Sequence, residues 1–186
     1  MRFPTKFVIS PYGGENFKTT KEVNGKDLVI NTSIEYAENV NRVGVVEEIP
    51  LDYEGIIQKG DKVVVQHNVF RDYFDGKGLT RKSDFHIKDN LYQCAVELVF
   101  LIIKDNEFLG VDDFCFVEPI FEEKKWIGKT EVQHVGIVKY DNKTLNRNNV
   151  FKGDKIAFKK DSEYPFDING EVSYRMRNRN ILCKLE

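Results

Sequence analysis

Apolar residues along this chain form short clusters, each closed by glycine, aspartate or asparagine. Lys62-Val63-Val64-Val65-Gln66, Arg42-Val43-Gly44-Val45-Val46, Gly136-Ile137-Val138 and Lys155-Ile156-Ala157-Phe158 are rich in β-branched or aromatic residues. Side chains of that shape fit a pleated, half-buried surface, and the flanking turn residues bound the clusters as strands. No run of ten or more residues carries the apolar spacing of an amphipathic helix. The longest apolar run, Leu98-Val99-Phe100-Leu101-Ile102-Ile103, reads as a buried strand and is far short of the ~20 residues that cross a bilayer. Closely spaced short strands with turn signals predict an all-β fold, a sandwich or a small barrel.

The clusters recur. Val43-Gly44-Val45-Val46, Lys59-Gly60-Asp61-Lys62-Val63, Tyr73-Phe74-Asp75 and Gly78 return as Val135-Gly136-Ile137-Val138, Lys152-Gly153-Asp154-Lys155-Ile156, Tyr164 with Phe166-Asp167, and Gly170, at offsets of 91 to 93 positions. A near-constant offset over this many matches predicts a duplicated domain. Phe7-Val8-Ile9-Ser10-Pro11 is the counterpart of Phe116-Val117-Glu118-Pro119. However, 31 residues separate Pro11 from Val43 and only 15 separate Pro119 from Val135. The first copy therefore carries an extra loop, of a length that is uncommon unless functional or disordered.

The joint falls around Lys104-Asp105-Asn106-Glu107, giving domains 1–104 and 105–186 without a Gly/Ser-rich linker. Lys-Gly-Asp-Lys before each central strand reads as a turn: glycine supplies positive φ and the carboxylate accepts backbone hydrogen bonds. Phe-Asp-x-x-Gly, at 74–78 and 166–170, reads as a strand end feeding a hairpin, with the aromatic ring packed inward.

Composition narrows function mainly by exclusion. With 41% hydrophobic and 31% charged residues the chain is that of a globular protein, and a net charge of −2 gives no global pull toward nucleic acid or anionic membrane. The N-terminal Met1-Arg2-Phe3-Pro4-Thr5-Lys6 lacks the pattern of a secretory signal, so the cytoplasm is the expected compartment. Cys94, Cys115 and Cys183 sit beside apolar residues and are expected to be buried, reduced thiols. His67, His86 and His134 lack metal-ligand spacing, and Gly128-Lys129-Thr130 lacks the glycine-rich cradle of a phosphate loop. No nucleophile elbow and no carboxylate pair set apart in environment is visible. The reading is a protein with no catalysis, no metal and no cofactor. The basic stretch Arg175-Met176-Arg177-Asn178-Arg179 reads as a solvated hairpin or a subunit contact.

In the second copy, Val135-Gly136-Ile137-Val138, then Val150-Phe151-Lys152-Gly153-Asp154-Lys155-Ile156-Ala157-Phe158, then Tyr164 to Gly170-Glu171, and finally Asn180-Ile181-Leu182-Cys183-Lys184-Leu185 follow in an order that resembles the GroES-type co-chaperonins. The resemblance covers most of 116–186 and, more loosely, 7–103. It implies two tandem GroES-like small β-barrels, with the copies differing at the connection of the family's roof hairpin: Ile49-Pro50-Leu51 and Tyr53 in the first, Asn142 to Asn149 in the second. It further implies a homo-oligomeric ring that caps a chaperonin ring and assists ATP-dependent folding, contacting it through a flexible loop after the first strand. That loop is the interval 12–42, and the chaperonin-binding role carries over to Leu28, Val29 and Ile30. The second copy has only 120–133 there, with Trp126 read as packing between domains. Tandem forms are similar to chloroplast members, and the divergence also suits a bacteriophage-encoded one.

A physical argument runs alongside. Three aliphatic residues among Lys, Asp, Asn, Thr and Glu cannot build a core of their own, yet they fit an apolar groove on a partner. Each would contribute ~1.5 to 3 kcal/mol on burial, less the cost of ordering the loop. A ring presenting several such loops would bind tightly through effective concentration. The alternative for Leu28 to Ile30 is one more barrel strand. The alternative function is a virion structural or assembly protein; a dehydrogenase relative lacks its nucleotide-binding half here.

Overall fold

Sequence clusters and turn residues translate into an all-β chain with one five-residue helix among the described residues. The computed structural model describes residues 2–17, 20–23, 26–29, 39–124, 128–168 and 171–186, and for 20–23, 26–29 and Lys124 the backbone alone. The chain forms two units, Met1–Asp105 and Asn106–Glu186. Asp105 and Asn106, at the boundary, both adopt positive φ. No helix of the described residues is long and apolar enough to cross a membrane.

The first unit contains β1 (Lys6–Pro11), β2 (Thr20–Val23), β3 (Lys26–Val29), β4 (Val43–Glu48), β5 (Lys62–Val65), β6 (Tyr73–Phe74), β7 (Thr80–Arg81), β8 (His86–Lys88), β9 (Leu91–Ala95) and β10 (Val99–Lys104). Its main strands lie in the order β8-β9-β1-β4-β5-β10. The second unit contains β11 (Glu107–Gly110), β12 (Phe114–Lys124), β13 (Gly128–Tyr140), α1 (Lys143–Arg147), β14 (Lys155–Phe158), β15 (Tyr164–Ile168), β16 (Glu171–Arg177) and β17 (Ile181–Lys184). Here the order is β15-β16-β12-β13-β14-β17. Matching β1 to β12, β4 to β13, β5 to β14, β9 to β16 and β10 to β17 makes the two orders identical.

Register makes the match residue-specific. Pro11 faces Gly44, Ser10 faces Val45 and Ile9 faces Val46, after which a bulge brings Val8 opposite Glu48. Pro119 faces Gly136, Glu118 faces Ile137 and Val117 faces Val138, and a bulge at the same step brings Phe116 opposite Tyr140. Gly44 pairs with Val63 and Gly136 with Ile156. A second shared bulge precedes the pairs Val65 with Val99 and Phe158 with Ile181. Bulges re-aim strands and are specific features of a fold, so two of them at matched positions argue for one architecture used twice.

The repeated turn is equally faithful. Gly60 and Gly153 have φ of +89° and +92°. Asp61 Oδ2 accepts from the Gln58 N–H at 2.7 Å and Asp154 Oδ2 from the Phe151 N–H at 2.8 Å. Each aspartate also pairs with a lysine of the closing strand, Lys104 at 3.2 Å and Lys184 at 2.7 Å. This geometry explains why glycine and aspartate recur there.

The all-β class holds, and no sheet closes on itself among the described residues. Three expectations change. The Tyr73-Phe74-Asp75 match to Tyr164, Phe166 and Asp167 is not a structural one: β6 and β7 form a separate ribbon, whereas Tyr164–Ile168 is the edge strand β15, matched by order to β8. Phe166 is buried as expected, but Phe74 is 46% exposed. Cys94 and Cys115 are buried while Cys183 is exposed, because β17 lies at the edge of its sheet. Finally, α1 replaces the implied roof hairpin in the second unit. Asn142 caps it by accepting from the Leu145 N–H at 2.8 Å, and Leu145 anchors it in a core with Val117, Val138, Ile156, Phe158 and Met176.

Candidate functional site

The interval 12–42 leaves the sheet at the end of β1 and returns at the start of β4, strands that pair with each other. Pro11 and Gly44 face one another, so both ends of the interval arrive at one place. The Tyr12 N–H donates to the Val43 carbonyl at 2.9 Å. Beyond it, Phe17 and Val40 form an isolated antiparallel bridge, so residues 18–39 depart and return through a closed stem.

Amide side chains lock that stem. Asn41 Nδ2 donates to the carbonyls of Tyr12 at 2.8 Å and Glu15 at 2.9 Å, while its Oδ1 accepts from the Val43 N–H. Asn90 Nδ2 holds the Gly14 carbonyl at 2.9 Å. Asn16 is buried, and its Nδ2 donates to the Tyr92 hydroxyl at 2.7 Å and to Asp72 Oδ1 at 3.2 Å. The other oxygen of Asp72 meets Lys82 Nζ at 2.9 Å. Burial alone would lower the Lys82 pKa, but Asp72 and Tyr92 outweigh it and the pKa is raised. Lys62 Nζ lies 4.0 Å from the centre of the Tyr12 ring, and its hydrogen bond to Tyr12 lowers that phenol's pKa. The paired groups of this network fix one geometry, because unpairing a buried polar group is costly; Asn16 Oδ1 is itself buried without a hydrogen-bond partner.

Within the interval, β2 and β3 pair as a two-stranded ribbon of their own, Lys21 opposite Leu28 and Thr20 opposite Val29. Leu28 and Val29 thus lie in strand backbone outside the main sheet, and Ile30 lies outside the described residues.

The matched position in the second unit is built differently. The strands β12 and β13 continue past Pro119 and Gly136, through an irregular step containing His134 at φ +59°, into a ribbon with Phe121 opposite Glu131 and Glu123 opposite Lys129. Residues 125–127, with Trp126, lie outside the described residues. Tyr174 faces Val117 as Tyr92 faces Ile9. Its hydroxyl donates to Glu131 Oε1 at 2.7 Å, and burial together with that carboxylate pushes the phenol up to about 12. One sheet position therefore carries a tyrosine that holds the root of the inserted segment in both units. Only the recurrence of Tyr before an apolar residue two positions on, Tyr92-Gln93-Cys94 and Tyr174-Arg175-Met176, hinted at it.

Other candidates disperse. His86 Nε2 lies 2.9 Å from the Asp89 carbonyl, and His134 Nδ1 lies 3.9 Å from Glu163. Among the described residues no three His, Cys, Asp or Glu side chains converge as a metal set. Two of the three arginines of the basic stretch are engaged within their own unit, Arg177 with Asp113 at 2.6 Å and 4.3 Å from the Phe114 ring centre, and Arg175 at 4.6 Å from that of Tyr164, while Arg179 is exposed. Neither a known family model nor a curated protein matches the chain.

Proposed function

We propose that this protein is a co-chaperonin, built from tandem GroES-like units, that caps a chaperonin ring in the cytoplasm of a cell or of a phage-infected host. It works as a homo-oligomeric ring, has no catalysis of its own, and contacts the chaperonin through Leu28, Val29 and Ile30. The observation that supports the reading is the bridge between Phe17 and Val40: in strands otherwise matched in order and register, the first unit alone closes a bridge there across an interval of 22 residues, 18–39, that holds Leu28, Val29 and Ile30. The amide network around Asn16 and Asn41 fixes the two ends of that interval at one place. Aliphatic residues in such an interval gain most by burial in a partner's groove.

Incubation with a chaperonin and ATP, followed by gel filtration, tests this. Wild type co-migrates with the chaperonin, and Leu28→Ser/Val29→Ser/Ile30→Ser loses at least about 100-fold in affinity, since three buried aliphatic side chains are removed at once. Equal binding by the triple variant removes the role of these residues. An intact assembly that ignores chaperonins and instead joins a virion would favour the structural reading.

A further inference from the structure

We propose that the β6–β7 ribbon of the first unit is a second docking element, a preformed tongue that enters an apolar cleft of the chaperonin beside the groove taken by Leu28, Val29 and Ile30. The contact rests on the co-chaperonin reading, which supplies the partner. Among the described residues the ribbon has no counterpart in the second unit. Its chain leaves the core after Val69 and Phe70, both fully buried, and returns at buried Ser83, whose hydroxyl donates to the Val69 carbonyl at 2.7 Å. Between those points Tyr73 is 42%, Phe74 46% and Leu79 54% exposed. Tyr73 stands opposite Arg81 and Phe74 opposite Thr80, and successive residues of a strand point to opposite faces. One aromatic ring therefore lies on each face, and neither is covered by the unit's own core. A flat surface would bury only one of them, whereas a cleft buries both.

An isolated two-stranded hairpin is marginal in water, and this one is held by polar bonds instead of apolar burial. Asp75 Oδ1 accepts from the Lys77 and Leu79 N–H groups and Asp75 Oδ2 from Arg81 Nε, each at 2.9 Å. At the base, Lys82 Nζ meets Asp72 Oδ2 at 2.9 Å. Apolar side chains presented on a preset backbone lose little freedom when they bind. Location names the partner. Asp72 Oδ1 also accepts from Asn16 Nδ2 at 3.2 Å, and Asn16 belongs to the stem that closes the interval 18–39, the chaperonin-binding arm of the functional reading. Ribbon and arm share one root, so a partner that seats the arm is brought to the ribbon. Charge adds little. Within 71–84 the basic residues are Arg71, Lys77, Arg81 and Lys82 and the acidic ones Asp72, Asp75 and Asp84, a net charge of +1. The apolar residues therefore carry the contact, and the cleft is recognised by shape and burial.

Titration of the full chain against a chaperonin with ATP tests the contact. Tyr73→Ser/Phe74→Ser/Leu79→Ser should bind about 30-fold or more weakly than wild type, because three half-exposed apolar side chains lose the burial that the cleft would complete. Amide exchange of 12–17 should stay at the wild-type rate, which separates a lost contact from a disturbed root. In a chain otherwise unaltered, p-benzoylphenylalanine substituted for Phe74 should crosslink to the chaperonin on illumination in the presence of ATP. Wild-type affinity in the triple serine variant, or a Phe74 crosslink to a second copy of this chain in place of the chaperonin, would overturn the contact. So would weaker binding with faster exchange at 12–17 and no crosslink, since the ribbon would then only brace the root. A wild type that ignores chaperonins removes the functional reading and this contact together. If wild type binds and only the ribbon variant weakens, the role of Leu28, Val29 and Ile30 falls and the ribbon contact stands; if only Leu28→Ser/Val29→Ser/Ile30→Ser weakens, the ribbon contact alone falls.

Discussion

The two units share strand order, register and two bulges, yet they differ wherever a segment enters or leaves the sheet. At the step after the first main strand, unit 1 closes a stem at Phe17 and Val40, whereas unit 2 continues its own strands into a ribbon. At the next connection, unit 1 has an exposed irregular segment with Leu51, and unit 2 has a capped helix with Leu145 buried. At the closing strand, β10 is buried and β17 is open. A hydrogen-bonded sheet constrains every residue within it, because shifting register exchanges buried for solvent-facing side chains. Connections carry no such constraint, so divergence after duplication collects there.

The sharpest way to break the comparison is at its paired glycines. A Cβ at Gly136 would lie 2.4 Å from Val117 Cγ1 and 2.6 Å from the Glu118 carbonyl, whereas at Gly44 the nearest atom is Phe70 Cζ at 3.0 Å. Gly136→Ala should therefore cost ~3 kcal/mol and Gly44→Ala ~1 kcal/mol, because both contacts at Gly136 are well under 3.0 Å, whereas at Gly44 the Phe70 ring and the Ser10 carbonyl at 3.2 Å need to give by only a few tenths of an ångström. Urea unfolding followed by Trp126 fluorescence and by hydrogen exchange of each unit measures both. Equal costs would mean that the matched register does not describe the packing.

A smaller effect is expected at the paired tyrosines. Tyr92→Phe leaves the buried Asn16 amide short of an acceptor and should cost ~1 to 2 kcal/mol. Tyr174→Phe should cost less, since Glu131 keeps access to water. Faster amide exchange at 12–17 in the first variant, but not in the second, would tie Tyr92 to the root of the arm.

The smallest effect concerns the β6–β7 ribbon, which has no match in unit 2. Asp75 accepts from the Leu79 and Lys77 N–H groups, each at 2.9 Å, and from Arg81 Nε at 2.9 Å, and these bonds, that to Leu79 first, hold its carboxyl below the ordinary 3.8. A lowered folded pKa means that the stabilisation is fully present above 3.8 and is lost as pH falls through the folded value. Acidification below about pH 4 should therefore loosen 73–81 ahead of global unfolding, seen as faster amide exchange of Leu79, and Asp75→Asn should abolish the dependence.

Much of the architecture was legible before any coordinates. Lys-Gly-Asp-Lys and the Val-x-Val clusters marked β4, β5, β13 and β14, because a tight turn and a half-buried strand each demand particular residue types. Pro11 and Pro119 correctly paired the strands preceding them. The Tyr-Phe-Asp match misled, since turn chemistry recurs in unrelated hairpins: β6 belongs to an inserted ribbon and β15 to the main sheet. The cysteines misled for another reason. Apolar neighbours along the chain made all three look buried, but the burial of Cys183 depends on what lies beyond β17, which local sequence does not encode.

Sequence by itself therefore settled an all-β chain, its duplication and the unequal interval after the first strand, because all three depend on local residue preferences and on spacing. Tertiary structure alone decided that Asn16, Asp72, Tyr92 and Lys82, whose outermost members lie 76 positions apart in the chain, meet at one stem. It alone decided, too, that two equivalent closing strands have opposite exposure. Both are outcomes of long-range pairing, where partners are chosen by the geometry of the sheet rather than by neighbours along the backbone.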